Sequence, residues 1–365
     1  SSVIAALQIS GIPINNFATS FIGNHEKLSL VDRLKDHPRK ETAEGSRVTV
    51  RDQSDRELLN GYSGRTRAFV QIQQGCDQSC TFCVIHEARG ASKSFVFSEV
   101  KDQIQLLLEN GYREIVVCGI DLGSWGEDFD EASRARTSNL TNLLQQISSL
   151  RGDYRVRLSS IDPVHVSDDL LDVIVTNQRI CPHLHLSMQS ANALVLKRMK
   201  RRYDPVLLYD RVLTAQKKIP GLVLSADILV GFPTETDRQF EDTLRAIEDL
   251  RVAYPHVFPY SQREGTPANR IPNQVPKSVR KERSARVRMM GRTVLENVLS
   301  ENLGVSGRAL IERSSLSQNN DKHGRLDNYL PVHITDFKPK AGEFLQVQVV
   351  DTRGGMLIAQ RRSQE

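Results

Sequence analysis

From residue 67 to residue 260, short apolar or alternating runs take turns with segments of helical period. Strands are predicted at Ala68 to Gln73, Glu114 to Gly119, Arg155 to Ile161, His183 to Met188, Val223 to Val230 and Ala253 to Tyr260. Between them, Ser98 to Asn110 reads as a helix opened by a Ser cap with a Glu behind it. Asn139 to Leu150 carries Leu140, Leu143, Leu144 and Ile147 on one face, and Ser167 to Thr176 follows Asp162-Pro163. Leu194 to Leu213 has the same period, broken near Asp204-Pro205, and Thr236 to Leu250 places Phe240, Leu244 and Ile247 together. Alternation of this kind implies an α/β fold of parallel strands joined by right-handed crossovers, closed or partly closed into a barrel. In such barrels the chemistry sits at the C-terminal ends of the strands.

The pattern changes after Val279. A helix with apolar residues at Val287, Met290, Val294 and Val298 is predicted to lead away from the α/β region. Beyond residue 303, short alternating runs at Gly307 to Glu312, Tyr329 to Ile334, Phe344 to Val350 and Met356 to Gln360 lie between Gly, Pro and Asn turns. They predict a small antiparallel β-barrel.

Composition narrows the class without naming a function. Apolar residues at 39% and charged residues at 25% of 365 are ordinary for a globular chain. No run approaches the length of uncharged apolar residues that a bilayer crossing needs, so a cytoplasmic location without membrane partners is expected. The net charge of +5 is small but concentrated. One basic run extends from Lys197 to Lys218 and another holds Lys277, Arg280, Lys281, Arg283, Arg286, Arg288 and Arg292. Such runs are either solvated helix faces or the footprint of a polyanion.

Five cysteines do not make a disulfide framework, and three of them, Cys76, Cys80 and Cys83, fall within eight residues. Cys118 and Cys181 lie in or beside apolar runs and read as small buried hydrophobes. The first predicted strand runs out into Gly75-Cys76, which puts the C-x3-C-x2-C loop where a barrel keeps its active site. Three thiolates on one loop can hold three irons of a four-iron cluster and leave the fourth iron for a non-protein ligand. A zinc site with His86 as fourth ligand is the alternative. Phe82, directly before the last thiol, could lie against an adenine ring.

An aromatic residue before the third cysteine, on a loop after the first barrel strand, resembles the cluster motif of radical S-adenosylmethionine (SAM) enzymes. Later segments are similar to the methylthiotransferase branch of that superfamily, in particular the tRNA threonylcarbamoyladenosine methylthiotransferases of the MtaB type. These are Gln73 to Gly90, Glu114 to Gly123 with Trp125 to Asp128, Arg157 to Pro163, His183 to Ser190, Leu196 to Tyr203, Asp227 to Thr236 and His256 to Pro267. The chain departs from the family at Cys118, where Thr is common, at Ala191 and Thr234, where Gly is usual, and at His86-Glu87-Ala88, which replaces a Pro-containing loop.

The resemblance implies a radical SAM partial (β/α)6 barrel with a TRAM-like RNA-binding barrel behind it. It divides the chain into residues 1–64, a remnant of the N-terminal methylthiotransferase domain with its linker, residues 65–302, the radical SAM barrel with a trailing helix, and residues 303–365. It implies a 4Fe-4S cluster on Cys76, Cys80 and Cys83, and SAM contacts from Phe82, Ser160, Gln189, Ser190, Asp227 and Gly231. A radical made by reductive cleavage of SAM would open the C2 position of adenosine 37 for a methylthio group, which is why no general-base dyad is expected. The implied partners are a tRNA anticodon stem-loop and an electron donor such as flavodoxin or ferredoxin. Family members bind a second 4Fe-4S cluster through three cysteines of an N-terminal domain, and no cysteine precedes Cys76 here. The chain is therefore expected to be a truncated form, whose sulfur insertion stands in question. Isopentenyladenosine or a ribosomal-protein aspartate as target, and a non-catalytic RNA-binding remnant, are the other readings.

Overall fold

The computed structural model describes residues 58–62, 64–129, 139–312, 323–336 and 339–362. Expectations for the N-terminal remnant fall outside the described residues, apart from the last few positions before the barrel.

Alternation of apolar and polar residues produces the expected parallel strands. In chain order the elements are β1 (Arg67–Gln71), β2 (Gln73–Gln74), α1 (Ile85–Arg89), β3 (Lys93–Ser94), α2 (Phe97–Glu109), β4 (Glu114–Cys118), α3 (Leu140–Ser148), β5 (Arg155–Leu158), β6 (Ser160–Ile161), α4 (Asp168–Thr176), β7 (His183–Gln189), α5 (Ala193–Met199), α6 (Pro205–Lys218), β8 (Val223–Val230), α7 (Asp237–Asp249), β9 (Val252–Pro259) and α8 (Lys277–Glu301). Strands pair in parallel in the order β1-β4-β5 and β6-β7-β8-β9. Val70, Ile115, Leu184 and Ile228 from the strands pack with Ile104, Leu144, Phe240 and Ile247 from the helices in one buried core. Helix faces close over the sheets because each carries its apolar residues at a 3.6-residue period.

Three local expectations change. The strand foreseen at Arg155 to Ile161 is two: it leaves β4 at Leu158 and joins β7 at Ser160, so it is shared between two sheets. Helix α2 begins at Phe97, which puts Ser98 inside the first turn, and the Glu99 carboxylate caps it by accepting from the Val96 N–H at 3.1 Å. Helix α8 does not lead away. Its Val287 joins the main core and Gly291 lies against the Pro255 ring of β9, so close that a Cβ there would stand 2.4 Å from that ring.

Residues beyond α8 form a closed barrel of β10 (Ser306–Ile311), β11 (His323–Leu326), β12 (Pro331–Ile334), β13 (Phe344–Arg353) and β14 (Met356–Arg361) in the order β10-β11-β12-β14-β13. The expectation of a purely antiparallel barrel is corrected: β12 and β14 run parallel, Val332 beside Leu357. Five strands cannot alternate direction around a closed ring, so at least one neighbouring pair must be parallel. Periodicity does not predict β11, because His-Gly-Arg-Leu offers one large apolar residue and no β-branched one.

The small barrel seats on the N-terminal ends of the parallel strands. Glu114, the first residue of β4, is wholly buried between Arg155 and Arg157 of β5, at 2.6 and 2.7 Å. Burial alone would raise the Glu114 carboxyl, but Arg157 and Arg155 hold it well below the usual carboxylate range. Arg155 also reaches Asp327 at 2.7 Å and the carbonyl oxygens of Arg308 and Arg325, while Arg157 donates to the Asp327 carbonyl at 3.0 Å. Tyr329, in the turn between β11 and β12, enters this end of the barrel, its ring centroid 4.7 Å from that of His183 and 5.6 Å from that of Tyr254.

Candidate functional site

The opposite, C-terminal end of the barrel carries the cysteine loop. The wholly buried side chain of Gln73 ties it to the neighbouring strand. Its Oε1 accepts from the Ile120 and Asp121 N–H groups at 2.8 and 3.0 Å. Its Nε2 donates to the Gly75 carbonyl and the Ser92 hydroxyl at 3.0 and 2.9 Å. Gly75 follows at φ +70°, and a Cβ there would stand 1.9 Å from the Ala91 carbonyl oxygen, so only glycine passes this turn. Farther along, Thr81 docks on the end of α5, its N–H donating to the Met199 carbonyl at 3.1 Å and its hydroxyl to that of Arg198 at 2.8 Å.

Each thiol receives a hydrogen bond. The Gln78 N–H donates to Cys76 Sγ and the Ile85 N–H to Cys83 Sγ, both at 3.4 Å, and an Arg201 guanidinium N–H reaches Cys80 Sγ at 3.3 Å. Burial pushes the Cys76 thiol up to about 11 and raises that of Cys83. Without a cation the two therefore stay protonated near neutral pH, and iron would drive their protons off. Donors aimed at sulfur suit thiolate ligands of an iron-sulfur cluster, whose potential such bonds tune. Tetrahedral zinc would need four ligand atoms about 3.8 Å apart, given a Zn–S length of about 2.3 Å. Among the described residues, the set of three or more His, Cys, Asp or Glu donor atoms within 4.8 Å of one another is His185, Asp227 and His256, not the thiols with His86. Three spaced thiols fit the cluster.

The remaining predicted residues divide. The Ser160 hydroxyl meets that of Ser187 at 3.0 Å across neighbouring strands, and Asp227 Oδ1 lies 3.1 Å from His185 Nε2. Gln189 ends β7 at φ +55°. Phe82 sits edge-on to Phe232, centroids 6.5 Å apart, beside an apolar cluster that includes Met199 and Tyr260. The other two lie deeper in the protein. Ser190 is fully buried, its hydroxyl 3.2 Å from that of Thr243 and accepting from the Asn192 N–H. The Gly231 N–H donates to Glu235 at 2.6 Å, and a Cβ on Gly231 would stand 2.2 Å from the Arg280 side chain.

A model of the radical SAM superfamily matches residues 70–247. A threonylcarbamoyladenosine tRNA methylthiotransferase MtaB of Rickettsia prowazekii is 35% identical over 300 residues, 82% of this chain and 68% of its own length. Its namesake in Bacillus subtilis is 35% identical over 295 residues, 79% of this chain and 63% of that one. A tRNA-2-methylthio-N(6)-dimethylallyladenosine synthase of Clostridium botulinum is 30% identical over 340 residues, 92% and 73%. The chain belongs to the radical SAM tRNA methylthiotransferases. It spans 58% to 73% of the length of curated relatives such as these.

For a radical SAM methylthiotransferase, the residues that sequence reasoning missed are Arg201 and Arg202. In the sequence both stand in a basic run and in the family-like segment Leu196 to Tyr203, without a role of their own. Helix α5 ends on Lys200 in the left-handed conformation, φ 61° and ψ 45°, and the chain turns back toward the strand ends. Arg201 then bridges Cys80, Asp162 at 2.5 Å and the Ser187 carbonyl, while Arg202 meets Asp121 at 2.9 Å. Their signal in the sequence was the Lys-Arg-Met-Lys-Arg-Arg-Tyr run just after a predicted strand, where charge is aimed by a turn that composition does not reveal.

Proposed function

We propose that this chain carries the SAM-cleaving and RNA-binding parts of tRNA methylthiolation, acting on N6-threonylcarbamoyladenosine at position 37. The observation that carries the reading is the loop of Cys76, Cys80 and Cys83 at the C-terminal mouth of the barrel, with each thiol receiving a hydrogen bond. In this reading residues 65–302 form the catalytic module and residues 303–365 a TRAM-like RNA-binding module. Cys76, Cys80 and Cys83 hold the cluster; Phe82, Ser160, Gln189 and Asp227 face SAM, while Ser190 and Gly231 shape the backbone around it. A bound cluster with SAM supplies a carbon-centred radical able to take hydrogen from an aromatic carbon. The protein's own work is to hold the three thiolates, with Arg201 against Cys80, and to seat the base at the mouth. The anticodon stem-loop is the RNA partner, a flavodoxin or ferredoxin the electron donor, and the cytoplasm the place where both meet it. No described helix is long and apolar enough to cross a membrane.

Anaerobic reconstitution should load about four irons and four sulfides per chain, and Cys80→Ala should abolish the loading because two thiolates cannot hold the cube. Stoichiometric zinc in a colourless protein would overturn the reading. The loaded chain should form 5'-deoxyadenosine from SAM.

A further inference from the structure

Inside the barrel, below the cysteine loop, the walls from β7, β8 and β9 are polar. Register pairs Asp227 with His256 and His185 with Ser225, and parallel partners share a face of the sheet. That face is the lumen, because the alternate residue Pro255 packs outward on Gly291 of α8. His185 Nε2 stands 3.1 Å from Asp227 Oδ1, and the His185 and His256 rings are 4.7 Å apart. The floor beneath is closed by His183, Tyr254 and the inserted Tyr329. Two residues nearer the mouth, on the same inward face, Phe258 leaves 51% of its surface exposed. An exposed aromatic face above an exposed His256 and a partly buried His185 is an arrangement for a flat base with a polar appendage.

We propose that His185 and His256, with Asp227 holding the former, receive the N6 substituent of the target adenosine and select a threonylcarbamoyl group over a dimethylallyl one. The inference rests on the function proposed above and adds the residues that choose among its targets. A threonylcarbamoyl group brings urea N–H and hydroxyl donors together with carbonyl and carboxylate acceptors. With His185 Nε2 engaged by Asp227, His185 keeps Nδ1 as an acceptor, and His256 offers one donor and one acceptor. A dimethylallyl group offers neither, and would strip water from three polar side chains without replacing the bonds they lose. Sites built to hydrogen-bond a substrate reject the analogue that lacks the polar group far more strongly than apolar pockets reject a misfit. The adenine C2 edge, to be presented to the cluster loop beyond β1, leaves the N6 group free to point at the far wall formed by β7 to β9.

The test is binding of the cluster-loaded chain to three anticodon stem-loops, carrying at position 37 threonylcarbamoyladenosine, dimethylallyladenosine or plain adenosine, read by fluorescence anisotropy. The first should bind about tenfold tighter than either of the others. His256→Leu, at an exposed position where folding is not at stake, should remove that preference and leave affinity for the plain stem-loop and iron content unchanged; His256→Gln should restore part of it. An equal preference in His256→Leu, or no preference in the parent chain, would overturn the inference alone. Failure of the parent to bind any of the three would overturn the proposed function itself.

Discussion

At Gly75 the backbone leaves β1 and β2 for the first cysteine in a left-handed turn, where any Cβ would stand 1.9 Å from the Ala91 carbonyl oxygen. Neither the turn nor the strand pair β2-β3 beneath it can yield to a methyl group. Gly75→Ala should therefore cost at least about 1 to 3 kcal/mol in strain. Iron loading should fall with it, read as iron per chain after reconstitution, because the displaced residue is next to Cys76. Thr234, by contrast, holds φ +67° without glycine. Its hydroxyl accepts from Arg198 at 2.6 Å, so a side-chain bond offsets part of the strain where the family usually has Gly. The three thiols stand out in the sequence by their spacing, because one short loop carries all three. Arg201 was not, because what makes it matter is the left-handed Lys200 that aims it, and nothing in a string of basic residues marks that turn.

Helix α8 illustrates the same limit one level up. Its seven basic residues read in the sequence as either a solvated face or a phosphate footprint, and Arg283 is neither, being 4% exposed and 2.7 Å from both Glu235 and Asp237. Arg286 pairs with Glu241 at 2.6 Å, and both guanidiniums lie over the Phe240 ring. Replacing Arg283 by Ala would strand Glu235 in the core and should cost about 3 to 5 kcal/mol, visible as a large drop in thermal midpoint. The residues left for RNA are Lys277, Lys281, Arg288 and Arg292, all exposed. They stand at i, i+4, i+11 and i+15, which at about 100° per residue fall within roughly 60° of one another around the helix. A quadruple Ala variant should weaken tRNA binding and flatten its log-log salt slope by up to about 3, at roughly 0.7 to 0.9 per lost phosphate contact. An unchanged slope in that variant would leave α8 with no part in binding. Element existence followed from periodicity, whereas the division of α8 into a buried and an exposed charged set depends on α7, which periodicity cannot place beside it.

At the scale of the molecule, the small barrel is a plug as well as a module: its Asp327 and Tyr329 complete the buried charges of Glu114, Arg155 and Arg157. The plug should also make the fold acid-sensitive. Burial, with Arg157 and His185 adding to it, holds the His183 imidazole well below its ordinary 6.5. It is neutral when folded and takes a proton when unfolded below about pH 6.5, so the unfolded state binds more protons and stability falls as pH drops, by up to roughly 1.4 kcal/mol per pH unit. The depressed imidazoles of His165 and His256 add to this in the same direction. Glu114 stays ionised across that window, since its folded carboxyl lies far below the ordinary 4.5, and its contribution is lost only at lower pH. Thermal midpoints between pH 7.5 and 5.5 should decline in the parent chain and less steeply in His183→Gln, which has no proton to gain. An unaltered slope in that variant would assign the acid sensitivity to the two lumen and loop histidines and leave the plug without a share in it.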